Sequence, residues 1–214
     1  MKEMNKTIQR GDCFKLLAAC FYEPERALFI EEQVGEKLGM LFDSLVPDDA
    51  RIAREMVKFV EQMDQHTMSI DHAALFVGPF ELLAAPYGSV YIEKKRRVMG
   101  ESSVNAARYY QEAGLSVDIK EPPDHIVIEL EFMYYLCNKE ASASQNGQTA
   151  KANHYREIQA RFYHQAIKPW AGDFCEAIRV GTDNGFYVNL AECLDSFLIS
   201  CENIYNLAQP TTAI

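Results

Sequence analysis

Few side chains in this sequence stand at spacings that could do chemistry, and the most suggestive pair is Asp124-His125. An acid beside a histidine can orient an imidazole for proton transfer. Neighbours on a helix do not face each other, however, so the pair is a poor catalytic couple by itself. A capping Asp124 and a His125 hydrogen-bonded across a loop account for it better. Glu129 and Glu131 are two apart and point in different directions, so they do not converge as a general acid–base dyad. One of them could instead pair with a buried base elsewhere. His66 and His72 are six apart and His154 and His164 ten apart, spacings unsuited to adjacent metal ligands on one helix. No phosphate-binding glycine loop, dinucleotide fingerprint, zinc-protease helix or nucleophile elbow is present. The six cysteines, Cys13, Cys20, Cys137, Cys175, Cys193 and Cys201, form no Cys-x-x-Cys and fall in apolar helical patterns, where a thiol acts as a small hydrophobe.

The elements that must position these residues are helical. Leu16, Leu17, Cys20 and Phe21 form a first apolar stripe, and Pro24 begins a second helix. Pro47-Asp48-Asp49 repeats that start signal ahead of Ile52, Met56, Val57, Phe59, Val60 and Met63, which recur at helical spacing. A further helix runs from about Ser69 to Val77 and stops at Gly78-Pro79. From there to Gly100 the chain reads as an aromatic-rich loop with a short extended piece, Ser89-Val90-Tyr91-Ile92. Ser102 is placed to cap the next helix, which ends near Gly114. Leu115 to Pro123 is a connector, Asp124 stands at an N-cap position, and Ile126, Leu130, Met133 and Cys137 share a helix face. Ala141 to Thr149 reads as a polar loop. Tyr155, Ile158, Phe162 and Ile167 lead toward Pro169-Trp170, and Tyr187 to Tyr205 carry the clearest helical stripe. The expectation is one all-α helical bundle over residues 1–214, with a hinge between two helical subdomains at 115–123.

The chain has 214 residues, 48% of them hydrophobic, and a formal charge of −10 from 31 acidic and 21 basic residues. That balance disfavours nucleic acid and anionic lipid as partners; it either favours basic ones or, the simpler reading, only keeps the protein soluble. The run Lys94-Lys95-Arg96-Arg97 stands apart as a solvated turn, or as a contact to an acidic client face or a nucleotide phosphate. Neither a secretory signal nor a membrane-length apolar run is read, so a cytoplasmic location is expected.

Two blocks are recognisable together. Leu75-Phe76-Val77-Gly78-Pro79 with Pro86-Tyr87-Gly88-Ser89-Val90-Tyr91 and Met99-Gly100-Glu101-Ser102 is the first. Pro123-Asp124-His125-Ile126 running into Glu129-Leu130-Glu131-Phe132-Met133 is the second. A weaker third joins Phe162, His164 and Pro169-Trp170 to Phe186-Tyr187 and Leu190-Ala191. In order and separation they resemble the TorD/DmsD family of molybdoenzyme chaperones over roughly residues 70 to 200. The resemblance implies an all-helical bundle, in some members a homodimer swapped about a hinge. It implies a cytoplasmic chaperone, not an enzyme, that binds the twin-arginine signal peptide or the core of a molybdoenzyme precursor and delays its export until the cofactor is inserted. Carried over by position, the binding residues are Leu75, Phe76, Tyr87, Ser89, Tyr91, Gly100, Asp124 and His125. Phe80 adds aromatic surface and Glu101 adds charge for an arginine pair. Where many members have tryptophan in the first block, this chain has Phe80, Tyr87 and Tyr91, and its single tryptophan is Trp170. Guanine nucleotide is a cofactor by resemblance alone, with no motif behind it; otherwise none is expected. The alternative is a small-molecule or cofactor-binding helical enzyme using Asp124, His125 and a nearby tyrosine in a closed pocket.

Overall fold

A computed structural model describes residues 2–78, 82–94, 99–115 and 121–207. The expected Phe80, most of the basic run and the middle of the 115–123 connector lie outside the described residues.

The helices are α1 (Lys2–Cys20), α2 (Arg26–Glu31), α3 (Val34–Leu45), α4 (Ala50–Gln62), α5 (Gln65–His72), α6 (Gly88–Ile92), α7 (Glu101–Glu112), α8 (Ile126–Gln145), α9 (Thr149–Phe162), α10 (Lys168–Gly181) and α11 (Gly185–Leu207). Among the described residues the only pairing of extended backbone is an antiparallel bridge between Tyr87 and His125. Pro47 opens a single 3₁₀ turn before α4. Asp64 caps α5, its carboxylate accepting the Thr67 N–H at 3.0 Å. α5 passes into a π-turn, Ala73–Val77, closed by Gly78 at φ 87°, a left-handed conformation glycine adopts without strain. A second π-turn, Tyr163–Ile167, joins α9 to α10, and Pro169 enters the first turn of α10, where its missing N–H costs little.

The core is aromatic and continuous. α1 packs on α8, α8 on α9, and α11 against α4 and α10. Phe14 meets Phe197 edge-on at 4.8 Å, and Phe132 meets Phe162 in the same way. All six cysteines are buried and unpaired, and burial raises their thiols, to about 12 at Cys20 and Cys201. Such thiols stay protonated at neutral pH and pack as small apolar groups.

Three local expectations need correction. Ser89–Ile92 is not extended but lies in the short helix α6; its β-branched and aromatic residues alternate like a strand, yet a carboxylate from elsewhere caps it, as described below. Ser102 does not cap α7: the N-cap is Gly100, and Ser102 donates its N–H and hydroxyl to Glu93 Oε1 at 3.2 and 3.1 Å. The polar loop at Ala141–Thr149 shrinks to three residues, because α8 continues to Gln145 with Ala141 and Ala143 buried and Ser142 and Ser144 facing out.

Candidate functional site

The two sequence blocks, some 35 residues apart, are clasped by their backbones. The Gly88 N–H donates to the Asp124 carbonyl and the Ile126 N–H to the Pro86 carbonyl, each at 2.9 Å. The Pro122–His125 turn is tightened by its own 3.0 Å bond and by the Tyr110 hydroxyl, which donates to the Pro123 carbonyl at 2.6 Å.

Asp124 lies beneath this clasp, 1% exposed. One carboxylate oxygen accepts the Ser89 N–H at 2.6 Å and the other the Ser103 hydroxyl at 2.5 Å. It therefore caps α6 and ties down α7, not its own helix as its position suggests. The cap of α8 is His125, whose Nδ1 accepts the Val127 N–H at 3.2 Å. Asp124→Ala would strand a buried N–H and a buried hydroxyl, so a loss of about 2–3 kcal/mol is expected, with Asp124→Asn recovering part of it. Urea unfolding of both variants checks this; an unchanged Asp124→Ala midpoint would remove the capping role.

Below Asp124, Trp170 of α10 is fully buried and stacked on Tyr91 at 5.6 Å. Its Nε1–H donates to Glu129 at 3.2 Å. A Cβ on residue 88 would stand 2.9 Å from Trp170 Nε1, so only glycine lets α6 settle on the indole. Glu129 is 1% exposed, and burial, reinforced by the Asp124 charge, holds its carboxyl well above the ordinary range.

The outward face is different. The Tyr87 ring meets His125 edge-on at 5.1 Å, and its hydroxyl donates to exposed Glu121 at 3.3 Å. Burial, then the Glu121 charge, raises the Tyr87 phenol to about 12. Burial lowers His125 against the pull of Glu121 and Asp124, leaving a neutral imidazole at pH 7. Glu101 is exposed at the start of α7, while Gly100 leaves the room that the Glu93 carboxylate occupies.

Of the expected binding residues, then, Tyr87, Tyr91, Gly100, Glu101 and His125 lie at or near the surface. Leu75, Phe76, Ser89 and Asp124 are buried beneath it. Phe76 is held among Phe21, His72, Phe174 and Tyr187 with ring centroids 5.3–6.0 Å away. It supports the loop from the core. Glu121, Ser103 and Glu93 escaped the sequence reading, since short polar contacts across a loop leave no periodic signal. The arrangement suits adhesion of a partly basic, partly aromatic-binding segment better than proton transfer, because the two Asp124 oxygens are already engaged and shielded.

A family model described as nitrate reductase delta subunit matches residues 43–176. A protein named as the Tat proofreading chaperone DmsD, from Haemophilus influenzae, is 24% identical over 193 residues, 88% of each chain. The chaperone protein TorD of Aliivibrio salmonicida is 26% identical over 136 residues, 63% of this chain and 62% of its own length. A solved structure described as a redox enzyme maturation protein from Archaeoglobus fulgidus aligns over 89% of this chain and 93% of its own, with TM-score 0.55 and 22% identity. That last likeness concerns the fold alone.

Proposed function

Since the chain belongs to the nitrate reductase delta subunit family, in which it is similar to the TorD and DmsD chaperones, we propose that it binds the twin-arginine leader of a molybdoenzyme precursor. It is a molybdoenzyme maturation chaperone rather than an enzyme. In this reading it acts in the cytoplasm, holding the precursor until its cofactor is in place, and works as a monomer or as a homodimer swapped about residues 115–123. No helix of the described residues is long and apolar enough to cross a membrane. The reading requires no cofactor of the chaperone's own.

The observation that carries it is the Tyr87–His125 clasp, which sets an aromatic ring, a neutral imidazole and the Glu121 carboxylate side by side at the surface. A guanidinium stacks on the first and pairs with the last. A protonated His125 would oppose such a ligand, and burial keeps it neutral. The enzyme alternative placed Asp124 in a catalytic pocket; its bonds to Ser89 and Ser103 give no support to that role.

Titration calorimetry against twin-arginine leaders of the molybdoenzymes of the same genome tests the reading. One leader is expected to bind saturably, and replacing both arginines by lysine should weaken it about tenfold, because lysine lacks the planar fork. A folded chain that binds no leader would sink the proposal, and binding only to a leaderless precursor would put the client core in the leader's place.

A further inference from the structure

A second surface is suited to an apolar segment. α2 reads Arg-Ala-Leu-Phe-Ile-Glu and buries none of its residues. Its start is tethered by polar bonds. The Arg26 N–H donates to Gln65 Oε1 at 2.8 Å, and the guanidinium donates to the Val60 and Glu61 carbonyls at 2.9 Å. Phe29 packs edge-on against Phe186 at 5.6 Å, but Leu28 and Ile30 are left outside, 50% and 41% exposed. Between α1, α2 and α3 lie two cavities of about 400 and 530 Å³. Ala19, Leu28 and Val34 line both, so the two form one trough, ending at Leu41 and the 62% exposed Met40.

The trough is electrically lopsided. Its first cavity carries Glu23 and Glu25 with no basic residue, whereas in the second Asp12 and Glu32 are balanced by Lys15 and Lys37. The acidic end adjoins the clasp. Tyr22 donates its hydroxyl to Glu131 of α8 at 2.8 Å, and His72 hydrogen-bonds the Phe21 carbonyl at 3.3 Å. The Glu23 charge acts on His72, and that of His72 acts in turn on His125.

We propose that this trough is the seat of the leader's apolar segment, which leaves the arginine pair at the Tyr87–His125–Glu121 clasp, passes Glu23 and runs over Leu28 toward Met40. The placement rests on the leader-binding reading above and adds a site and a direction to it. A leader is a basic stretch followed by about 7–15 apolar residues, an order that matches an acidic entrance followed by an uncharged-on-balance apolar trough. The clasp offers aromatic and acidic groups, and the trough adds an apolar channel among the described residues. The exposed Leu28 and Met40 are covered when the segment lies down, and that burial supplies the affinity.

The test uses the full chain and whichever genomic leader binds it. Leu28→Asp and Met40→Asp replace exposed side chains, so both variants should keep wild-type circular dichroism and melting. Each is expected to weaken the leader about tenfold or more. Glu23→Lys should weaken it too, chiefly at low salt. A photoreactive phenylalanine analogue at the last apolar position of the leader should crosslink to α3 near Met40. Wild-type binding that persists in both aspartate variants, or a crosslink elsewhere, overturns the placement and leaves the leader-binding reading standing. Loss of self-association in those variants with unchanged leader affinity makes a second copy the occupant, which also overturns it. Failure of the wild type to bind any leader brings down both.

Discussion

Glu140→Ala is expected to lower the unfolding free energy by about 3–5 kcal/mol, the cost of leaving a buried charge without its partner. Glu140 is 1% exposed on α8. It accepts from Arg10 of α1 at 3.3 Å, from Arg156 of α9 at 2.7 and 2.9 Å, and from the Gln159 amide at 2.8 Å. Arg10 is itself 5% exposed, and its guanidinium also donates to Gln159 Oε1 and stands over the Tyr205 ring of α11. One carboxylate thus organises four helices. In the alanine variant Arg10 cannot reach water without opening the α1–α8 seam, so the penalty falls on the whole bundle. The double variant Arg10→Met, Glu140→Leu removes the buried charges together and fills their volume. It should recover most of the loss, since Arg156 is about one-third exposed and can hydrate. Urea midpoints at constant slope measure both. A loss below about 1 kcal/mol in Glu140→Ala would mean that packing, not the ion network, sets the seam.

That network was invisible in the sequence. Arg10, Glu140, Arg156 and Gln159 stand in helices whose apolar periodicity was plain, but nothing in a polar residue's own position reports a partner 130 residues away. The sequence suggests a buried base as partner for Glu129 or Glu131; the acid paired with a buried base is Glu140, while Glu129 meets an indole N–H and Glu131 a tyrosine hydroxyl. The long helices were legible because burial of one face forces a 3.6-residue repeat, as in α4 and α11. α6 was not, because five residues are too few for a period and its cap comes from Asp124, 35 residues on. The same distance explains the binding surface. The two blocks were recognised by resemblance, yet which of their residues face out depends on the clasp. Only the clasp separates Tyr87 and His125 from the buried Phe76 and Asp124. The trough under α2 left one trace, an apolar Ala-Leu-Phe-Ile run after Pro24, which reads identically whether its face is covered or open.

Glu129→Gln is expected to stabilise the bundle increasingly as the pH rises. The carboxyl is buried beside Trp170 and Asp124, and burial first, then the Asp124 charge, raises its pKa well above the ordinary 4.5. The folded state therefore holds this proton where the unfolded chain has released it. With more protons bound to the folded form, unfolding free energy falls as pH increases, the reverse of the usual paired carboxylate. The contribution is intact below about pH 4.5 and declines by about 1.4 kcal/mol per pH unit above it, until the folded-state pKa is passed. Glutamine keeps an oxygen for the Trp170 N–H and carries no proton to lose, so the variant lacks this slope. The difference in stability between Glu129→Gln and the wild type should thus be small at pH 4.5 and grow steadily as the pH is raised toward 7. Chemical unfolding of the two proteins in parallel across that range isolates the one group, because every other titration is shared. A difference that stays flat with pH would mean that Glu129 ionises in the fold as readily as in the open chain, with solvent reaching it through the Asp124 side of the clasp.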